Sequence, residues 1–144
     1  MIELLTADTP NGKKITIMLE EIKFDYKVTK INIFKDEQFK PEFKKLSPFS
    51  KTPVIIDHNN KISMFESGAI LIYLGEKSGK FYDIKKRTII NQWLMGQMAY
   101  VGPMLGQHHQ FHHYNPGKSK FGEDRYFEIS KRIYCELDNR LSNA

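Results

Sequence analysis

MIELLTADTPNGKKITIMLEEIKFDYKVTKINI, residues 1–33, places a helical pattern between two runs of a different character. MIELLT and DYKVTKINI are rich in β-branched and aromatic residues and read as strands. Between them Ile15, Met18, Leu19 and Ile22 recur at i, i+3, i+4 and i+7, which is one face of a helix. Strand, helix, strand is the opening of an α/β unit. Thr9-Pro10-Asn11-Gly12 joins the first strand to that helix and sets a hydroxyl, a proline, an amide and a glycine at its first turn. A turn followed by an N-cap explains these residues. The same place also suits an anion, or a thiol being asked to ionise, because unpaired N–H groups and the positive end of the helix dipole lie there. Both readings stand at this point.

Further along, residues 33–50 are polar and contain Pro41 and Pro48, which predicts a loop with one helical turn around PEFKKL. PVIID and KISMF flank HNN, and Asn59-Asn60 suits a tight reversal between antiparallel strands. From Ser67 on, Ala69, Ile70, Tyr73 and Leu74 mark a second amphipathic helix that ends near Gly79. The expected order is β-α-β-α-β-β-α, an α/β domain over residues 1–82. Residues 85–144 lack strand-like alternation and form a second, all-helical region. Ile90, Trp93, Leu94, Gln97, Met98 and Val101 fall on one stripe of it, and Gly102-Pro103 predicts a kink. After the loop NPGKSKFG, a last helix carries Tyr126, Ile129, Ile133, Leu137 and Leu141 on one face.

Composition excludes several classes of function. The formal charge is +5, but the lysines are scattered, and the one basic run, Lys85-Lys86-Arg87, reads as a solvated helix start. No nucleic-acid partner is expected. The first ten residues have no cationic region followed by an apolar stretch, and no segment approaches a membrane span, so neither secretion nor a membrane partner is expected. Cys135 is the single cysteine, which rules out an intramolecular disulfide or a CxxC pair and points to a reducing cytoplasm. The thiol itself reads as a buried or half-buried structural group. His108, His109, His112 and His113 make two i, i+4 pairs, a spacing that can hold zinc. No HExxH pattern accompanies them, so a metal is not expected.

Two short motifs invite a functional reading. Pro53, in KTPV, fits either an edge strand or a cis turn that presents backbone groups at an open site. Glu66-Ser67, in FESG, fits the cap of the second helix.

Taken together, TPNGKK, EQFKPEFKKLSP, KTPVIID, FESGAILIYL and QWLMGQMAYVGPMLGQHH resemble the nu class of bacterial glutathione transferases, a group similar to the yeast nitrogen regulator with prion behaviour. The resemblance spans the whole sequence. It implies a thioredoxin-like domain that binds glutathione, reduced or as the disulfide, followed by an all-helical domain that completes the second-substrate pocket. A cytoplasmic homodimer is implied as well. Relatives carry several more helices, so the helical domain is expected to be incomplete, with the sequence truncated at its C-terminal end. By analogy, the Val54 backbone pairs with the cysteinyl backbone of glutathione beside a cis Pro53, and Thr52 stands where an aliphatic residue is common. Ser67 takes the γ-glutamyl carboxylate and Glu66 its ammonium. Gln38 and Lys51 hold the glycyl carboxylate or glutamyl backbone, although Lys51 reads equally as a plain exposed lysine. Arg125 matches an arginine that reaches toward glutathione from the helical domain, or forms a surface salt bridge. Thr9 and Asn11 would stabilise the glutathione thiolate, since no tyrosine, serine or cysteine occurs in residues 1–12. The implied activity is glutathione-dependent reduction of a small-molecule disulfide, or transfer to a soft electrophile. A non-catalytic glutathione-binding or regulatory module and an inactive remnant are the alternatives.

Overall fold

The structure, a computed structural model, describes residues 1–143. It divides into two compact units, Met1–Arg87 and Thr88–Ala144.

In the first unit β1 (Ile2–Thr6), α1 (Pro10–Ile22) and β2 (Tyr26–Lys30) follow one another, then a loop with two 3₁₀ turns and α2 (Pro41–Leu46). The hairpin β3 (Val54–Asp57) and β4 (Ile62–Phe65) leads into α3 (Ser67–Ser78). The sheet order is β2-β1-β3-β4, with β1 parallel to β2 and antiparallel to β3, and β3 antiparallel to β4. A parallel pair needs a crossover, and α1 supplies it. This is the thioredoxin-like arrangement expected from the sequence.

Alternation along the strands sends side chains to opposite faces of the sheet. Ile2, Leu4 and Ile55 meet Ile15, Met18, Leu19 and Ile22 of α1 and Ile70 and Leu74 of α3 on one face. Leu5 and Val54 meet Phe43 of α2 on the other. All four α1 positions picked out by periodicity are buried. Gly12 permits a close approach where β1 turns into α1: a Cβ there would lie 2.2 Å from Thr6 Oγ1 and 2.7 Å from the Ala7 carbonyl oxygen.

The hairpin differs in detail from expectation. Its left-handed residue is Lys61, at φ 56°, rather than either asparagine. The backbone N–H groups of Asn59 and Asn60 instead donate to Asp57 Oδ1, at 3.0 and 3.3 Å, an Asx-type turn organised from the strand end. Asp57 is buried, and its other oxygen accepts from Tyr73 Oη at 2.6 Å and Lys77 Nζ at 2.9 Å. Burial alone would push this carboxyl up, but the bonds from Tyr73, Lys77 and the two turn amides outweigh it and hold the group well below the usual carboxylate range.

The second unit holds α4 (Arg87–Gly96), α5 (Gly102–His109) and α6 (Lys120–Ser142), with π-helical stretches at Gln97–Val101 and Gln110–Tyr114. The expected kink at Gly102-Pro103 takes the form of the first π stretch. Gly102 N–H reaches back five residues to Gln97 O, and the wider turn relieves the clash a proline ring makes with the carbonyl four residues earlier. Ile129 and Ile133 of α6 are buried, and Phe111 stacks on Tyr126 at 5.4 Å. Gly122 lets the ring in, since a Cβ there would stand 2.6 Å from Phe111.

Two expectations fail on α6. Leu141 is exposed, so the apolar face frays before the helix ends. Cys135 is also exposed, because two residues beyond Ile133 is about 200° around a helix from the buried stripe. Among the described residues, no helix is long and apolar enough to cross a membrane.

Candidate functional site

The strand register puts most of the candidate residues at one end of the sheet. Leu5, next to the end of β1, pairs with Val54 at the start of β3, and Val54 pairs with Phe65 at the end of β4. Helix α1 begins just past β1 and α3 just past β4, and both pack on the same face. Their N-termini therefore open side by side, and two positive dipole ends share one edge. Lys30, the last residue of β2, pairs with Thr6 at the same end, and Ile31 N–H donates to Thr6 O at 2.8 Å. The loop carrying Gln38 leaves from there.

Thr9 caps α1, its hydroxyl oxygen accepting from Gly12 N–H at 3.2 Å, with Pro10 in the first turn. A hydroxyl that accepts in this way keeps its own hydrogen for another partner. Capping and donation to a bound anion are thus compatible at Thr9. Asn11 is exposed beside it.

The Thr52–Pro53 peptide bond is cis. Pro53 is not an edge-strand proline, because it precedes β3, which has neighbours on both sides. Val54 is fully buried, paired with Leu5 of β1 on one side and Phe65 of β4 on the other. Sequence reasoning missed the residue that shapes this approach. Ser47 is buried, and its Oγ donates to Lys51 O at 2.8 Å and accepts from Lys51 N–H at 3.1 Å. Ser50, at φ 55°, completes the turn through its N–H to Ser47 O. The Ser-Pro pair at 47–48 was the available turn signal. The Lys51 side chain is exposed and Thr52 is half-buried.

At the start of α3, Ser67 is buried and Glu66 exposed. The Glu66 side chain makes no capping hydrogen bond, which overturns that part of the capping expectation. Its backbone sits at φ 69°, ψ 114°, a conformation sparsely populated by residues with a side chain. Such geometry is costly for a residue with a side chain. Across from it on α1, the half-buried Lys14 ammonium is pulled down by loss of water and pushed back up by the Glu66 charge.

Gln38 Nε2 makes a long bond, 3.5 Å, to Ile33 O, while its Oε1 is buried and has no partner. An orphaned acceptor of this kind is uncommon and marks a place where a ligand donor fits. Arg125 is exposed on α6 and makes no ion pair among the described residues, which removes the surface salt-bridge reading. The four histidines stack in pairs, His108 on His112 at 5.2 Å and His109 on His113 at 4.5 Å. Among the described residues no group of three or more His, Cys, Asp or Glu is disposed to hold a metal.

A backbone edge beside a cis proline, a donor-rich helix start and an acceptor facing a second helix start together suit a peptide-like zwitterion. Residues 3–76 match the family described as "Glutathione S-transferase, N-terminal domain". The whole sequence is 44% identical to the disulfide-bond oxidoreductase YfcG of Escherichia coli, of which it covers 70%. A crystal structure of a glutathione transferase from Burkholderia graminis, with two glutathione molecules bound per subunit, superposes with a TM-score of 0.93 at 40% identity; 98% of this protein and 62% of that one are covered. A glutathione transferase from Pseudomonas putida, with one glutathione disulfide per subunit, gives 0.89 at 41% identity, covering 99% of this protein and 65% of that one. The sequence therefore spans 62 to 70% of the length of these three relatives, and its matched residues and sheet topology together make it a member of the glutathione S-transferase family.

Proposed function

We propose that residues 1–82 form a glutathione-binding domain, and that the protein works as a glutathione-dependent thiol-disulfide oxidoreductase or transferase. The observation that carries the reading is the gathering of Thr9, Asn11, Val54, Glu66 and Ser67 at one sheet end under two helix N-termini. Glutathione fits the groups present. Its γ-glutamyl zwitterion needs donors beside an acceptor, which Ser67 with the first α3 amides and Glu66 supply. Its peptide backbone meets that of Val54, and the unpaired Gln38 Oε1 is free to accept from a ligand N–H.

When bound, glutathione supplies the nucleophilic sulfur. The protein's part is to hold that sulfur as thiolate and in line with the bond to be broken. Thr9 Oγ and the Asn11 amide donate to it, and the α1 dipole lowers the cost of the negative charge.

The test is thermal unfolding with and without millimolar glutathione and glutathione disulfide, followed by disulfide reduction assays. Ligand binding to the native state alone raises the transition, by about 2.7 kcal/mol of added stability at a hundredfold excess over Kd. A transition unmoved by either ligand would sink the proposal. Binding without turnover would leave the site and remove the enzyme.

A further inference from the structure

The sheet order leaves β2 as an outer strand, so one side of it has no neighbour in the sheet. Ile31 N–H donates to Thr6 O, and the parallel register sets Lys30 beside Thr6. Backbone groups alternate along a parallel ladder, so Lys27 and Thr29 turn theirs toward β1 while Tyr26, Val28 and Lys30 turn theirs outward. Those outward N–H and C=O groups are a template for another extended chain.

Apolar surface runs beside this template. Val28 is in register with Leu4, which packs on the α1 face of the sheet, so Val28 belongs to the same face. There Val28, Ile17 of α1 and Phe34 of the following loop are 45%, 62% and 95% exposed. Together with Ile31 and Lys30 they line one cavity of about 730 Å³. A helix cannot satisfy a strand edge. An extended segment can, and it places every second side chain in such a cavity.

Charge selects the kind of segment. Lys13 and Lys30 both line the cavity; Lys13 is tied to Asp8 at 3.1 Å, whereas Lys30 makes no ion pair among the described residues. Lys27, on the opposite face, reaches Glu3 only at 3.7 Å. Antiparallel pairing of two β2 strands about Val28 would gather Lys27 and Lys30 of both in one ladder, which disfavours a second copy. Carboxylates opposite the same lysines are favourable.

We propose that the outer edge of β2, with the cavity beside it, is a docking surface for an extended acidic segment of a partner protein. The segment adds to the sheet as a further strand, with an apolar residue opposite Val28 and carboxylates opposite Lys27 and Lys30. This surface stands independently of the glutathione reading.

The probe is a fluorescein-labelled peptide of alternating glutamate and valine, seven residues long by design, and its control is the same peptide N-methylated at alternate residues. The control keeps the charge and loses the ability to pair. Polarisation at low salt, amide hydrogen exchange and sedimentation are measured on the whole chain, on Lys30→Glu and on Val28→Pro, a substitution that removes one outward N–H and that edge strands tolerate. The unmethylated peptide should bind with a Kd of about 100 μM or tighter. Lys30→Glu should weaken it by about fivefold or more, and Val28→Pro should abolish it. Bound peptide should slow exchange at the Val28 and Lys30 amides more than at Lys27 and Thr29. No saturation up to about 1 mM peptide, equal binding of the methylated control, or slowed exchange confined to other strands would each overturn the proposal. Unchanged affinity in Lys30→Glu would do the same and decides the matter where Val28→Pro does not fold. Self-association that Val28→Pro abolishes would overturn it in favour of a second copy.

Discussion

Asp57→Asn removes one charge from a buried four-donor network without changing side-chain volume. Asp57 accepts from Tyr73 Oη at 2.6 Å, from the N–H groups of Asn59 and Asn60 at 3.0 and 3.3 Å, and from Lys77 Nζ at 2.9 Å. Hydrogen bonds to an ionised acceptor contribute about 1 kcal/mol more than neutral ones, so weakening the three from Tyr73 and the turn amides costs about 3 kcal/mol. The Lys77 ammonium regains water and adds little. The folded carboxyl is held below its ordinary value, so this stabilisation is complete above the unfolded-state pKa of about 4 and is lost as pH falls further. The variant should therefore trail the wild type by about 3 kcal/mol at neutral pH, with the gap closing between about pH 4 and pH 2. Hydrogen exchange of the β3 and β4 amides reads this in the first unit alone. A gap below about 1 kcal/mol at pH 7, or one that stays constant down to pH 2, would refute the account of the network.

Asn11→Ala should slow glutathione-dependent disulfide reduction by at least about tenfold, whereas Cys135→Ala should leave it within about twofold; equal effects would move the chemistry away from α1. Thr9→Ala removes the α1 cap and should lower stability by about 1 kcal/mol in a urea melt, with a further loss in turnover if the hydroxyl also serves the thiolate. Gly12→Ala drives a methyl into Thr6 Oγ1 and the Ala7 carbonyl, so a loss of at least about 2 kcal/mol is expected, and an unchanged melting temperature would contradict the packing described there.

Much of the first unit was legible because local and tertiary demands agree in it. The α1 stripe of Ile15, Met18, Leu19 and Ile22 is buried as its spacing requires, and the strands fall where β-branched residues cluster. The turn residue at Lys61 was not legible, because asparagine is the commoner occupant of that conformation and the Asx contact from Asp57 is what sets the turn here. Glu66 occupies the cap position of α3 but makes no side-chain capping bond, because its backbone lies at φ 69°, ψ 114° rather than in the extended region usual for a cap. Ser47 escaped notice for a related reason. Single polar residues carry no period, and their importance depends on neighbours distant in sequence. On α6 the pattern was read too far, since amphipathic spacing names a face but not how much of it finds a partner.

The two π stretches on either side of α5 have a consequence for insertions and deletions. Each holds a surplus residue relative to an α-helix, and elsewhere the loss of one residue would turn everything downstream by about 100°. Removing a single residue within Gln97–Val101 converts the wide turn to an ordinary one and keeps the faces of α4 and α5 in phase, whereas Gln110–Tyr114 ends at Asn115 and has a helix on one side only. The helical region thus has a place between α4 and α5 where its length can change by one residue without reorienting its neighbours. Homologous proteins that differ in length there should still align face for face on either side.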